Sequence, residues 1–430
     1  MTTTTHKENV PGDTVAMILA GGEGERLYPL TRDRAKPAVP YGGNYRLIDF
    51  TLSSCLNSGL RRIHVLTQYK SDSLSRHIRL AWNVFNPALG EYIEINPPQQ
   101  RLASHWYHGT ADAICQNVYT LERERPQYVL VLSGDHVYKM DYCRLIRQHM
   151  EAAADLTIAC IARPLQEAAR LGVLALDSHM RVQDFHEKPV SPPPMPGSRT
   201  HALCSMGVYM FTTETLVRRV VEDAKLPNST HDFGRDVIPA MIKARDRVFG
   251  HVFGQPGLEG PPYWRDIGTL DAYWESNMDL LPDDPVFDPY DPAWPVRTYV
   301  SSGPPAKIVC CGCTPDVKEA DACEVLVCDG AIVRGARVHN AIVGRNVHIQ
   351  PGSVVEHSVL LDDVKVGRNV TIRRAIVDKG NHIPDGFAIG VDLERDRRHF
   401  TVSEGGIVVV PKEMPLFRTK GAAGSLDARV

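Results

Sequence analysis

The rhythm of apolar positions divides the chain into unlike parts. From residue 14 to about residue 275, short apolar runs alternate with stretches of helical period, the order that wraps helices around a largely parallel, mixed sheet. Runs at 15–19, 63–67, 128–132, 156–162 and 205–211 are short and unbroken, which predicts buried strands. Apolar positions of helical period predict helices over 49–58, 73–82, 111–123 and 142–153. Residues 281–305, LPDDPVFDPYDPAWPVRTYVSSGPP, hold too many prolines for a helix or a central strand. They predict a linker ordered by Tyr290 and Trp294 packing on a domain face. The texture then changes again. Val343, Ile349 and Val355 recur every six residues, as do Val366 and Ile372, and Gly344 and Gly367 each follow an apolar residue. That period predicts a left-handed parallel β-helix within 306–430, each coil burying an aliphatic row against the next; a β-sandwich with chance spacing is the alternative. The polar residues 1–13 predict a flexible N-terminus.

Composition narrows the classes of function. A chain of 430 residues exceeds one ordinary domain, and 43% hydrophobic residues suffice for full cores. With 48 basic against 51 acidic residues there is no cationic excess to neutralise a nucleic-acid backbone, so the partners expected are small molecules. No apolar run reaches the roughly 18 residues of a membrane span and no apolar leader opens the chain, so no membrane partner is expected and the location expected is cytoplasmic. Ten cysteines in that setting predict reduced thiols. Cys310, Cys311, Cys313, Cys323 and Cys328 have spacings that a metal could use. The alternative makes Cys323 and Cys328 small buried hydrophobes flanking an apolar segment.

Candidate chemistry begins where the first strand ends. Gly21, Gly22 and Gly24 follow it at once and would let backbone N–H groups approach an anion, while Arg26 and Lys36 bring two cations to the same turn. The turn is neither a dinucleotide fingerprint, since Leu27 stands where the third glycine belongs, nor a P-loop, since Gly-Lys-Ser/Thr is absent. Ligands of such folds gather beyond the carboxyl ends of the strands, here predicted as loops 20–27, 133–136 and 205–209. Asp135 of LSGDHVYKMD lies in the second of these, where a carboxylate can hold Mg²⁺ together with substrate phosphates; capping the next helix is its alternative role. In DFHEKP, extended backbone before Pro189 would send Glu187 and Lys188 to opposite sides. The lysine is then free for a phosphate and the glutamate for sugar hydroxyls, with solvated surface as the alternative. In HWYHGTADA, Trp106 and Tyr107 precede a helix that Thr110 is expected to cap.

The segments LAGGEGERL and RAKPAVPYGG resemble the start of sugar-nucleotide pyrophosphorylases, in particular the bacterial glucose-1-phosphate adenylyltransferases, and the similarity continues through nearly the whole chain. The resemblance implies a Rossmann-like (GT-A-like) nucleotidyltransferase domain over 14–280, followed beyond the linker by a β-helix that regulates and joins subunits into a homotetramer. It implies that ATP and glucose 1-phosphate give ADP-glucose and diphosphate, with Mg²⁺ held by Asp135 and by Asp266 of YWRDIGT. Arg26 and Lys36 would serve the triphosphate beside Gly21, Gly22 and Gly24, and Lys188 would seat the sugar phosphate. Gly172, Glu187, Ser205, Tyr209 and Asp232 match the sugar pocket. Tyr107 would lie near the base or the sugar phosphate. Gln68 would sit near the nucleotide and, with Trp106, link regulation to catalysis. Arg34, Arg46 and Arg374 remain as anion contacts for a phosphorylated effector, with ordinary surface arginines as the alternative. Asp33 and Pro40 replace the lysine and histidine of the enteric pattern, which argues against fructose 1,6-bisphosphate in that role.

Overall fold

The computed structural model describes residues 12–98, 106–254, 262–310 and 321–416. Nine strands form the main sheet: β1 (Thr14–Ala20), β2 (Arg62–Thr67), β3 (Tyr92–Asn96), β4 (Tyr128–Ser133), β5 (Leu156–Pro164), β6 (Gly172–Leu176), β7 (Val182–Glu187), β8 (His201–Thr212) and β9 (Val248–Val252). Their order is β7-β6-β8-β4-β1-β2-β3, with β5 also paired to β8 and β9 to β5. The β4-β1-β2-β3 half is parallel, as expected. The long β8 runs antiparallel to β4, β5 and β6, so the sheet is mixed.

Alternation along β1 shows how the sheet takes helices on both faces. Ala16, Ile18 and Ala20 pack with Leu52, Leu74 and Ile146 of one helical layer, whereas Val15 and Met17 pack with Ile114, Leu121 and Leu216 of the other. The helix expected over 111–123 is two helices, Thr110–Cys115 and Val118–Glu124. The break is at Asn117, whose amide donates to the Ala113 carbonyl (2.8 Å) and to the Tyr107 hydroxyl (3.1 Å), competing with the helical ladder. Thr110 does not cap it: Gly109 occupies that position, and a Cβ there would lie 2.3 Å from the His231 carbonyl oxygen. Residues 205–209 are no loop either. They form a bulge within β8, where register shifts between Ser205 and Tyr209 and Gly207 has φ +67°.

Residues 282–306 hold no helix or strand and run along the first domain. Phe287 is buried there, stacked on Tyr263 at 4.6 Å, and Tyr290 meets Tyr45 at 5.6 Å. The C-terminal part is a parallel β-helix. One sheet orders Lys307–Val309, Ile332–Arg334, His348–Ile349, Lys365–Val366 and His382–Ile383 side by side, and a second runs from Asp321–Val327 through Arg337–Val343 and Val354–Leu360. Val343, Ile349, Val355, Val366 and Ile372 are all buried in its core, as their period predicts.

A fourth cluster fuses the two parts. Leu27, Leu30, Val39, Val137 and Ile267 of the first pack with Ile342, Val359, Ile376 and Val409 of the β-helix. Beside it Arg34 donates to Asp378 Oδ1 at 3.0 and 3.1 Å, both side chains being buried. Cys310 and Cys323 are exposed and Cys328 is buried against Gly43, its thiol pushed up to about 12 by burial; Cys311 and Cys313 lie outside the described residues. Among the described residues, no helix is long and apolar enough to cross a membrane.

Candidate active site

The glycine turn after β1 is shaped by its neighbours. A Cβ at Gly21 would lie 2.9 Å from Gln68 Cβ, and one at Gly24, whose φ is +68°, would press on Thr31 and Lys36 at 3.0 and 3.1 Å. Gly22 faces open space, so its backbone remains approachable. Gln68, at the end of β2, accepts from the Tyr107 N–H at 2.9 Å and so ties the turn to the Trp106–Tyr107 segment. Trp106 stacks on Tyr69 at 5.0 Å. Gly21, Gly22, Gln68, Tyr69 and Tyr107 wall a cavity of about 510 Å³ that also touches Thr110 and Asp232. A slightly larger hollow of about 580 Å³ lies against the linker, between Lys139, Phe287 and Trp294, and contains none of the candidate residues.

Lys36 stands between two carboxylates, its Nζ 2.7 Å from Asp135 Oδ2 and 3.4 Å from Asp266 Oδ1. Asp266 arrives from far along the chain because Trp264–Asp266 pairs antiparallel with His136–Tyr138, setting Asp266 opposite His136. Neither aspartate is spent on a helix cap: Asp141 caps the helix after Asp135, and Thr269 caps the one after Asp266. Burial alone would raise the Asp135 carboxyl, but Lys36, His136 and Ser133 hold it far below the usual carboxylate range. Burial likewise opposes the Lys36 charge, and the two aspartates overcome it and raise its pKa. Arg26 is exposed and reaches the loop after Asp266, where a Cβ at Gly268 would lie 3.5 Å from its Nη2.

The second cluster surrounds Glu187. Gly172 sits opposite it across the β6–β7 pair, and a Cβ at Gly172 would lie 3.0 Å from Glu187 Oε2. Gly234, which sequence reasoning missed, closes the other side: its Cβ would come within 2.6 Å of the same oxygen. Lys188 does not point away from Glu187 as extended backbone predicts. It has φ +50°, outside the extended region, and its Nζ meets Glu187 Oε1 at 3.0 Å. Asp232 accepts from the N–H groups of Gly234 (2.9 Å) and Arg235 (3.1 Å), and its other oxygen accepts from the Thr110 hydroxyl at 3.0 Å. Thr110 therefore ties the segment after Trp106 and Tyr107 to Asp232, a role its sequence position as a cap concealed. Ser205 donates to the Tyr209 hydroxyl at 3.2 Å, and burial raises the Tyr209 phenol.

The three arginines matched to effector contacts are each engaged. Arg34 holds Asp378; Arg46 donates to Ser73 Oγ at 2.8 Å; Arg374 lies over Trp274 at 5.0 Å and donates to the Gly405 carbonyl at 3.0 Å. Burial first, and then the nearby Arg34 and Arg345 charges, lower the Arg46 pKa against the pull of Asp49 and Asp362.

Comparison with known proteins shows the family. Residues 15–282 match the Nucleotidyl transferase family model, and residues 304–410 match the GlmU-like, C-terminal hexapeptide model. The glucose-1-phosphate adenylyltransferase of Methylobacillus flagellatus is 47% identical over 94% of this chain and 94% of its own. The enzyme of that name from Methylococcus capsulatus is 48% identical over 92% and 93%, and the one from Yersinia pseudotuberculosis 45% over 94% and 95%. The chain belongs to the glucose-1-phosphate adenylyltransferase family. It is a nucleotidyltransferase, and the boundary between the two matched models, 282 to 304, falls within the proline-rich linker. Within the adenylyltransferase fold, Asp232 of the second cluster lines the same cavity as Gly21 and Gly22 of the glycine turn.

Proposed function

We infer that this protein joins ATP and α-D-glucose 1-phosphate to give ADP-glucose and diphosphate, the first step of α-glucan synthesis. The observation that carries the reading is identity of 45–48% along nearly the full length to enzymes of that name. The sugar-phosphate oxygen is already anionic and needs no general base. It attacks the ATP α-phosphorus in line, a phosphorus–oxygen bond forms, and the bond to the bridging oxygen breaks with its electron pair leaving on diphosphate. Arg26 and Lys36 would offset the triphosphate charge beside the open backbone of Gly22. Lys188 would seat the sugar phosphate, and Glu187, Asp232, Ser205 and Tyr209 would bind its hydroxyls.

Asp135 and Asp266 suit Mg²⁺: both are hard oxygen donors, Asp135 stays ionised, and the Lys36 ammonium already shows that both can face one cation. When bound, the ion would neutralise charge on the reacting phosphates. Assembly into a homotetramer and control by phosphorylated effectors at Arg34, Arg46 and Arg374 belong to the same proposal, supported by family membership. Purified protein with Mg²⁺ and glucose 1-phosphate should release diphosphate from ATP but not from UTP or dTTP. Release with only another nucleotide would leave the reaction class standing and overturn the choice of base.

A further inference from the structure

We propose that Thr110 is a positioning residue for the sugar phosphate: its hydroxyl sets the plane of the Asp232 carboxylate, and with it the direction from which a sugar hydroxyl can donate. This rests on the reading of Asp232 as a ligand of the sugar hydroxyls. Thr110 Oγ1 lies 2.9 Å from the Phe233 backbone nitrogen and 3.0 Å from Asp232 Oδ2. The backbone N–H can only donate and the carboxylate can only accept. The hydroxyl therefore accepts from Phe233 and gives its proton to Asp232.

Asp232 Oδ1 accepts from the N–H groups of Gly234 and Arg235. Those two bonds anchor one oxygen but leave the carboxylate able to turn about it, since the last torsion of an aspartate is broad. The bond from Thr110 removes that freedom. A carboxylate offers about four acceptor positions, and with Gly234, Arg235 and Thr110 in place the one left for a ligand is on Oδ2. Asp232 lines the same cavity as Gly21 and Tyr107. Thr110 is itself held against this segment. The Ala111 N–H donates to the His231 carbonyl at 2.8 Å, and a Cβ at Gly109 would stand 2.3 Å from that oxygen and 2.5 Å from the Thr230 carbonyl, so only glycine allows the approach. His231 has φ +55°, a conformation that persists in a non-glycine residue only where its surroundings impose it. Here the Ser229 hydroxyl accepts its N–H at 2.9 Å and Asp223 Oδ2 meets its Nδ1 at 2.8 Å. An acceptor fixed in direction discriminates between sugar epimers, because moving one hydroxyl from equatorial to axial takes its proton off the line of the lone pair; a carboxylate free to turn would follow it.

The test is steady-state kinetics of the full-length protein with Mg²⁺ and ATP, using glucose 1-phosphate and its galactose and mannose epimers in turn. Thr110→Val should raise the KM for glucose 1-phosphate about tenfold and narrow the kcat/KM ratio between glucose and its epimers about tenfold, with the KM for ATP changed less than about twofold. Thr110→Ser keeps the hydroxyl and should restore both values; Thr110→Ala takes the place of the valine variant if that one does not fold. In an Asp232→Asn background, Thr110→Val should add less than about twofold, since a residue acting through another is not additive with it. Additive losses, or a rise confined to the KM for ATP, overturn the proposal. If Asp232→Asn shifts the sugar-phosphate KM and Thr110→Val does not, the proposal falls alone. If Asp232→Asn changes neither the KM nor the epimer ratio, the reading of Asp232 falls and takes the proposal with it.

Discussion

Lys36 and Asp135 hold each other charged: burial opposes both charges, and their ion pair, with Asp266 beside Lys36, overcomes it. Asp135→Asn should therefore lower turnover by about two orders of magnitude or more, with little change in the KM for glucose 1-phosphate; steady-state kinetics showing wild-type turnover would remove Asp135 from the mechanism. Lys188 is half exposed and tethered to Glu187, so it is poised for an anion rather than built into a core. Its replacement by alanine should raise the KM for glucose 1-phosphate about tenfold and leave that for ATP nearly unchanged. If the sugar-phosphate KM stays put, Lys188 is surface. Gly234→Ala probes the same pocket from behind, because the added methyl would stand 2.6 Å from Glu187 Oε2. We expect a higher KM for glucose 1-phosphate with an unchanged melting temperature, and an unaltered KM would show that Glu187 has room to move.

Among elements, the strands with continuous apolar runs were legible in the sequence because burial on both faces leaves no polar position to confuse the pattern. β1, β2, β4, β5 and β8 are of this kind. β7 was not, since VQDFHE is exposed on part of one face and reads as surface. Asp135 was legible as the residue ending an apolar strand. Its meeting with Asp266 rests on the pairing of two three-residue strands, too short to leave a period, and only the family resemblance pointed to it. Gly234 was invisible for another reason: nothing local marks a glycine whose purpose is to clear a side chain from elsewhere. Two histidines on the β5 side make a prediction of their own. His149 is buried between the hydroxyls of Thr157 and Thr212, His251 donates from Nδ1 to Gln148 Oε1 at 2.7 Å, and burial pushes both rings down from 6.5 to about 4. The unfolded rings take up protons as pH falls through 6.5, and the folded ones only near 4. Stability should decline across that interval as pH falls. Melting temperatures from pH 7.5 to 4.5 should show this decline, and the His149→Gln/His251→Gln pair should flatten it; an identical slope would assign it to other groups.

For the whole molecule the decisive feature is the joint between the catalytic part and the β-helix. Asp378→Ala would strand the buried Arg34 charge and should cost about 3–5 kcal/mol in urea unfolding, most of it recovered when Arg34 is also made apolar. A loss under 1 kcal/mol would mean that water reaches the guanidinium. The joint also has an order along the chain. Leu27 follows Arg26, Val39 lies one turn beyond Lys36, Val137 follows His136 and Ile267 follows Asp266, and each of these apolar residues is buried in the cluster shared with Ile376 and Val409. Arg26 and Asp266 thus have their immediate neighbours, and Asp135 and Lys36 a residue two or three positions on, clamped between the two halves. Exchanging β-helices between relatives is then no neutral graft of a module: a hybrid keeps its turnover only if the donor's facing row of aliphatic side chains is carried over with it, so the halves are constrained to change together in evolution.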